Sequence, residues 1–75
     1  MVLTIELDLE EDGRWIAEAN PDDESLPTTH VYGRTREEAI AKAEAAILRI
    51  WADLLEQGAT GPGSFSLEIV ETKAA

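Results

Sequence analysis

Four carboxylates crowd one short stretch, Asp8, Glu10, Glu11 and Asp12 in "DLEEDG". Converging carboxylates hold magnesium, and a magnesium-dependent nuclease needs a few of them aimed at one point. Here the pattern disperses them. Alternation along residues 2 to 10 sends Asp8 and Glu10 to the water side of a strand, and Glu11 and Asp12 fall in the turn beyond it. No lysine or histidine lies beside them, so nothing in the sequence preorganises the set. His30 is the single histidine, and a chain without cysteine offers it too few partners for a zinc site. It also lies in no recognisable nucleophile motif. The residue types therefore predict a chain with no catalytic residue, no metal ligand and no cofactor, and a magnesium-dependent nuclease is the weakest alternative.

A second candidate is "YGRTREEAI", residues 32 to 40, where a glycine and two arginines precede a helix. Helix starts of this kind bind anions through their free amides. Thr35 lies three residues before Glu38, however, which is the spacing of a capping box. Glu37 and Glu38 also occupy the positive end of the helix dipole and repel an incoming phosphate. The stretch is predicted to cap a helix, with Gly33 making a left-handed turn out of the preceding strand.

The elements that position these residues are legible from periodicity. "VLTIELDLE" places Leu3, Ile5, Leu7 and Leu9 on one face against Thr4, Glu6, Asp8 and Glu10, as a half-buried strand requires. A three-residue loop, Glu11-Asp12-Gly13, pairs Leu9 with Trp15, Leu7 with Ala17 and Ile5 with Ala19. A two-residue turn would put Trp15 on the polar face, and burial decides against it. "NPDDESLP" reads as an exposed loop and "TTHVYG" as a short third strand. From Arg36 a helix of ~22 residues carries Ile40, Ala43, Ile47, Ile50, Trp51 and Leu54 on one stripe, flanked by Ala39, Ala46, Leu48 and Leu55. It ends near Gln57, with Gly58 as its stop and Pro62 beyond. After "GATGPG", the run "SFSLEIVE" alternates again as a last strand with Phe65, Leu67 and Ile69 on one side, and "TKAA" is a frayed tail. The prediction is one α+β domain over residues 1–75, ordered β-β-β-α-β, with an antiparallel sheet and one long helix on one face.

Charge narrows the function. Sixteen acidic residues against six basic give a formal net charge of −10. Such a surface repels a phosphate backbone and attracts a basic protein. No apolar run approaches the ~20 residues that cross a bilayer, and no signal peptide is evident, so a cytoplasmic protein is expected. A core this small gains from association, and the wide apolar arc of the helix exceeds what one sheet face covers. Trp51 and Leu55, at the far end of the helix, are the expected self-association residues, as homodimer or higher homo-oligomer. Trp51 capping the core is an equal alternative.

The run from "EDGRWIAEANP" through "LP" to "GRTREEAIAKAEAAI" resembles the HicB-type antitoxin family. Asp12, Gly13, Trp15, Ala17 and Pro21 match its first segment, and Leu26 and Pro27 its middle. Gly33, Thr35, Glu37, Glu38 and Ala39 match its helix start, with Ala46 and Ile47 further on. Thr28 stands where the family commonly has a small residue, and the chain to Ala75 leaves no room for the DNA-binding module many members carry. The resemblance implies a β-β-β-α-β domain related to part of the ribonuclease H fold, without nuclease activity. It also implies a role as antitoxin in a type II toxin-antitoxin system. The partner would be a small basic mRNA-cleaving toxin, HicA-like and encoded nearby. Exposed acids of the sheet and first loop, Glu6, Asp8, Glu18, Asp22, Asp23 and Glu24, are the expected partner-binding residues. An orphan homo-oligomer of another role is the leading alternative.

Overall fold

The computed structural model describes residues 1–58 and 66–71. Strand β1 (Val2–Leu9) turns into β2 (Trp15–Pro21), which is followed by β3 (Thr29–Gly33), helix α1 (Arg36–Glu56) and β4 (Ser66–Glu71). The sheet order is β3-β2-β1-β4. Phe65, Pro62 and the residues 72–75 expected to fray lie outside the described residues.

The β1–β2 hairpin forms because its turn and its apolar pattern agree. Gly13 takes a positive φ of 89°, and the Glu10 amide donates to the Arg14 carbonyl at 2.8 Å. That fixes the three-residue loop and the register Leu9–Trp15, Leu7–Ala17, Ile5–Ala19. Pro21 extends β2 beyond the expected loop boundary and stands opposite Leu3.

The expected all-antiparallel sheet is corrected at β4, which runs parallel to β1 and makes the sheet mixed. The cause is the helix. Two antiparallel pairings make β3 run in the same direction as β1, and α1 carries the chain back along the sheet. The next strand therefore repeats β3's direction when it settles beside β1.

Helix α1 starts where its sequence says it should. Thr35, in extended conformation, accepts from the Glu38 amide at 3.1 Å. The Glu38 carboxylate reaches back to the Arg34 amide, one residue before the cap, and so departs from the usual reciprocal bond to the cap residue itself. At the other end Gln57 is the cap and Gly58, at φ 96°, donates to the Leu55 carbonyl.

Gly33 corrects an expectation. Its φ is not positive; its need is space. A Cβ there would lie 2.5 Å from the Ala39 amide nitrogen and 2.8 Å from the Ala39 Cα, both backbone atoms. Gly33 and Ala39 together let the helix start press directly on the end of β3. The core beneath holds Leu3, Ile5, Leu7, Ala17, Ala19, Ala39, Ala43 and Ile47, all fully buried. The helix line in closest contact is thus Ala39-Ala43-Ile47, and Ile40, Ile50, Trp51 and Leu54 pack around it. Leu26 is also buried, so the loop read as exposed is pinned by one side chain.

The helix covers β3 and β2, touches β1 less, and its backbone makes no contact with β4. No helix among the described residues is long and apolar enough to cross a membrane.

Candidate functional site

The helix occupies one face of the sheet, and no described element covers the other. Alternation places Thr4, Glu6 and Asp8 of β1, Ile16, Glu18 and Asn20 of β2, His30 and Tyr32 of β3, and Glu68 and Val70 of β4 on this outer face. Its central row runs Val70, Glu6, Glu18, His30 across all four strands.

Within that row Glu6 stands directly opposite Glu18 on the neighbouring strand. Like charges so placed destabilise a sheet, by roughly 0.2–1 kcal/mol per pair. Their present relief is modest. Glu18 meets the His30 ring nitrogen at 3.0 Å, and Glu6 accepts from the Asn20 amide at 3.4 Å. Asp8 adds a third carboxylate two residues along β1, beside Ile16. Glu6, Asp8, Ile16, Glu18 and His30 together rim an open hollow of about 220 Å³. A cationic side chain placed there would sit among three carboxylates, with Ile16 offering apolar contact to its stem.

The other three predicted acids lie apart from these, at the opposite end of the sheet, and two have structural tasks. Asp22 accepts from the Val2 amide at 2.9 Å, while its own amide donates to the Val2 carbonyl, so it staples the loop to the first strand. Asp23 accepts from the Ser25 hydroxyl at 2.7 Å and the Ser25 amide at 2.9 Å. Those bonds hold its carboxyl below the usual range, with the hydroxyl the larger influence. Glu24 is exposed beside them. The six acids therefore fall into two groups, an open face at Glu6, Asp8 and Glu18 and a loop at Asp22, Asp23 and Glu24, of which the first two are tied by hydrogen bonds.

The hairpin acids do not converge. Asp12 is taken up by Arg14, whose amide lies at 3.1 Å and whose side chain lies at 2.7 Å; both hold its carboxyl below the usual range, the amide most. Arg14 also lies over the Tyr32 ring, 4.6 Å from its centre. Among the described residues no three metal-ligating side chains gather in a position to hold an ion.

The basic residues are segregated too. Arg14, Arg34 and Lys42 line one hollow along the β3 side of the helix, and Lys42 and Arg49 line the next. Arg34, Lys42 and Arg49 make one strip beside the helix, while Arg14, over the ring of Tyr32, is a cation at the rim of the outer face. Of the expected self-association residues, Trp51 packs against the core while Leu55, one turn on, is 43% exposed.

Sequence reasoning passed over His30 and Asn20 as parts of this face, because their places beside Glu18 and Glu6 depend on strand pairing. The "Asp-Glu-Ser" of residues 23–25 did carry a signal: aspartate two residues before serine is a local turn former. No protein-family model, curated protein or solved structure matches this chain.

Proposed function

We propose that this chain is a non-catalytic docking protein whose open sheet face receives a cationic protein. The observation that carries the reading is the in-register Glu6–Glu18 pair on an uncovered face, in a chain of net charge −10. A pair of directly opposed carboxylates is a small standing cost to the fold. An arginine or lysine from a partner turns that cost into two charge-assisted hydrogen bonds. The surrounding negative field speeds the encounter, and the basic strip beside β3 orients it toward β1 and β2.

The HicB-type resemblance of roughly residues 3 to 50 gives that partner a chemical identity: a small basic protein that binds and cleaves RNA. In this reading the chain is an antitoxin. It competes with RNA for the toxin's cationic surface by presenting carboxylates where the RNA would present phosphates. The work is done by surface complementarity, with no bond made or broken.

The test is titration with a short basic protein encoded beside this chain. A complex should form at low salt and weaken steeply as salt rises, and it should suppress the partner's RNA cleavage. Glu6→Lys with Glu18→Lys should weaken it at least about tenfold. Binding that survives those reversals, or survives high salt unchanged, removes the open face from the account.

A further inference from the structure

Strand β4 is a sheet edge that nothing described covers. Leu67 and Ile69 stand in register with Leu3 and Ile5 and so face the helix side, yet each is 37% exposed, and the backbone of α1 makes no close approach to this strand. Val70, on the outer face, is 48% exposed. The strand thus offers apolar surface on both faces and, as the last in the sheet order, an open row of backbone donors and acceptors. Glu71, the one acid on its helix side, is already paired with Arg36 of the helix start.

From this we infer that a second copy of the chain pairs with β4, antiparallel and about a two-fold axis through Ile69. The inference is independent of the docking role above and moves self-association from Trp51 and Leu55 to the sheet edge. Nothing on the helix side of β4 selects for a cation, since its acid is neutralised within the chain, so the basic partner of the outer face has no claim on it. An identical edge fits it. Side chains paired across two antiparallel strands share a face, so a two-fold axis must pass through one residue of the strand.

Two centres are possible near the middle of β4. Centring on Glu68 sets that carboxylate against its own copy, a repulsion without relief. Centring on Ile69 sets Ile69 against Ile69, Leu67 against Glu71 and Glu68 against Val70. No like charges then face each other, and the apolar strip is closed at both ends by an Arg36–Glu71 ion pair. The product is one eight-stranded sheet, twice the four strands of one chain, with both helices on the same side.

The experiment combines sedimentation with a single introduced cysteine, which the chain otherwise lacks. The unmodified protein should sediment as a dimer that tightens with salt, because two acidic chains repel; a complex with a basic protein responds in the opposite sense. Ile69→Cys should form a covalent dimer on mild oxidation, and Leu55→Cys should not. Val70→Glu, which faces Glu68 of the second copy twice, should weaken the dimer about tenfold, whereas Val70→Lys should not weaken it. Val70 also stands beside Glu6 of its own chain, so the urea midpoint of each monomeric variant is measured alongside, and the dimer must weaken for Val70→Glu under conditions where circular dichroism shows the chain folded. A monomer at every soluble concentration, cross-linking through Leu55 and not Ile69, equal weakening by both Val70 variants, or open-ended oligomers in place of a dimer would each overturn the proposal.

Discussion

Strands β1 and β4 lie side by side, run the same way and carry leucine and isoleucine on the same face. In β1 Leu3, Ile5 and Leu7 are fully buried; in β4 Leu67 and Ile69 are each more than a third exposed. Their patterns are nearly identical, so alternation did not decide the outcome. What differs is the object above them. The helix starts against the end of β3 and lies over β3 and β2, and its cover runs out before β4. Burial in this molecule is set by where the helix is anchored, and Gly33, Ala39 and Thr35 set the anchor.

The largest test of that contrast is a matched pair of truncations. Ile5→Ala removes side-chain volume from the closed core and should cost about 2–5 kcal/mol. Ile69→Ala, its neighbour in register, should cost less than about 1 kcal/mol when measured by urea unfolding at concentrations low enough to keep the chain monomeric. Equal losses would mean that the two strands are equally covered. Next comes the anchor. Gly33→Ala drives a methyl into the Ala39 backbone, and the helix must lift to admit it, at about 1–3 kcal/mol. Hydrogen exchange should then rise along β3 and the first turns of α1 while β4 is unaffected.

A smaller effect is expected at the cap. Thr35→Ala leaves the Glu38 amide without its acceptor and should cost about 1 kcal/mol, with fraying confined to the first turn. Smallest is the response to acid. Glu38 is held below its ordinary value of 4.5, first by the Arg34 amide and then by Lys42. The native state therefore binds its proton less readily than the unfolded chain, so its contribution is present above pH 4.5 and fades as pH falls through the lowered value. Glu38→Gln should flatten the acid limb of a urea-midpoint profile between about pH 5 and pH 3. A profile unchanged by that substitution would show that the carboxylate does not hold the helix start.

Local rules carried the sequence reading a long way. The three-residue loop was legible because glycine position and apolar alternation allow one register that buries both Leu7 and Ala17. The helix start was legible because Thr35 and Glu38 act within one turn. The features that escaped depend on distant parts of the chain. Gly33 has the composition of a turn residue, and its true constraint, the approach of Ala39, appears only when helix and strand meet. The direction of β4 follows from topology. Leu26 looks like a loop residue until the core is assembled around it. The candidate face shows the same division. That Glu6, Asp8 and Glu18 share the solvent side was readable from period two. That Glu6 opposes Glu18, and that Asp22 and Asp23 are committed to hydrogen bonds, required the folded backbone.

The placement of β4 also bears on how the molecule is made. A ribosome delivers β1, β2, β3 and the helix before the strand that completes the sheet, so β1 waits with an open flank while the rest of the fold consolidates. A nascent chain in that state exposes a β-strand edge to every neighbouring polypeptide. The acids along β1, Glu6 and Asp8, then act as gatekeepers during synthesis, repelling sister chains until β4 arrives.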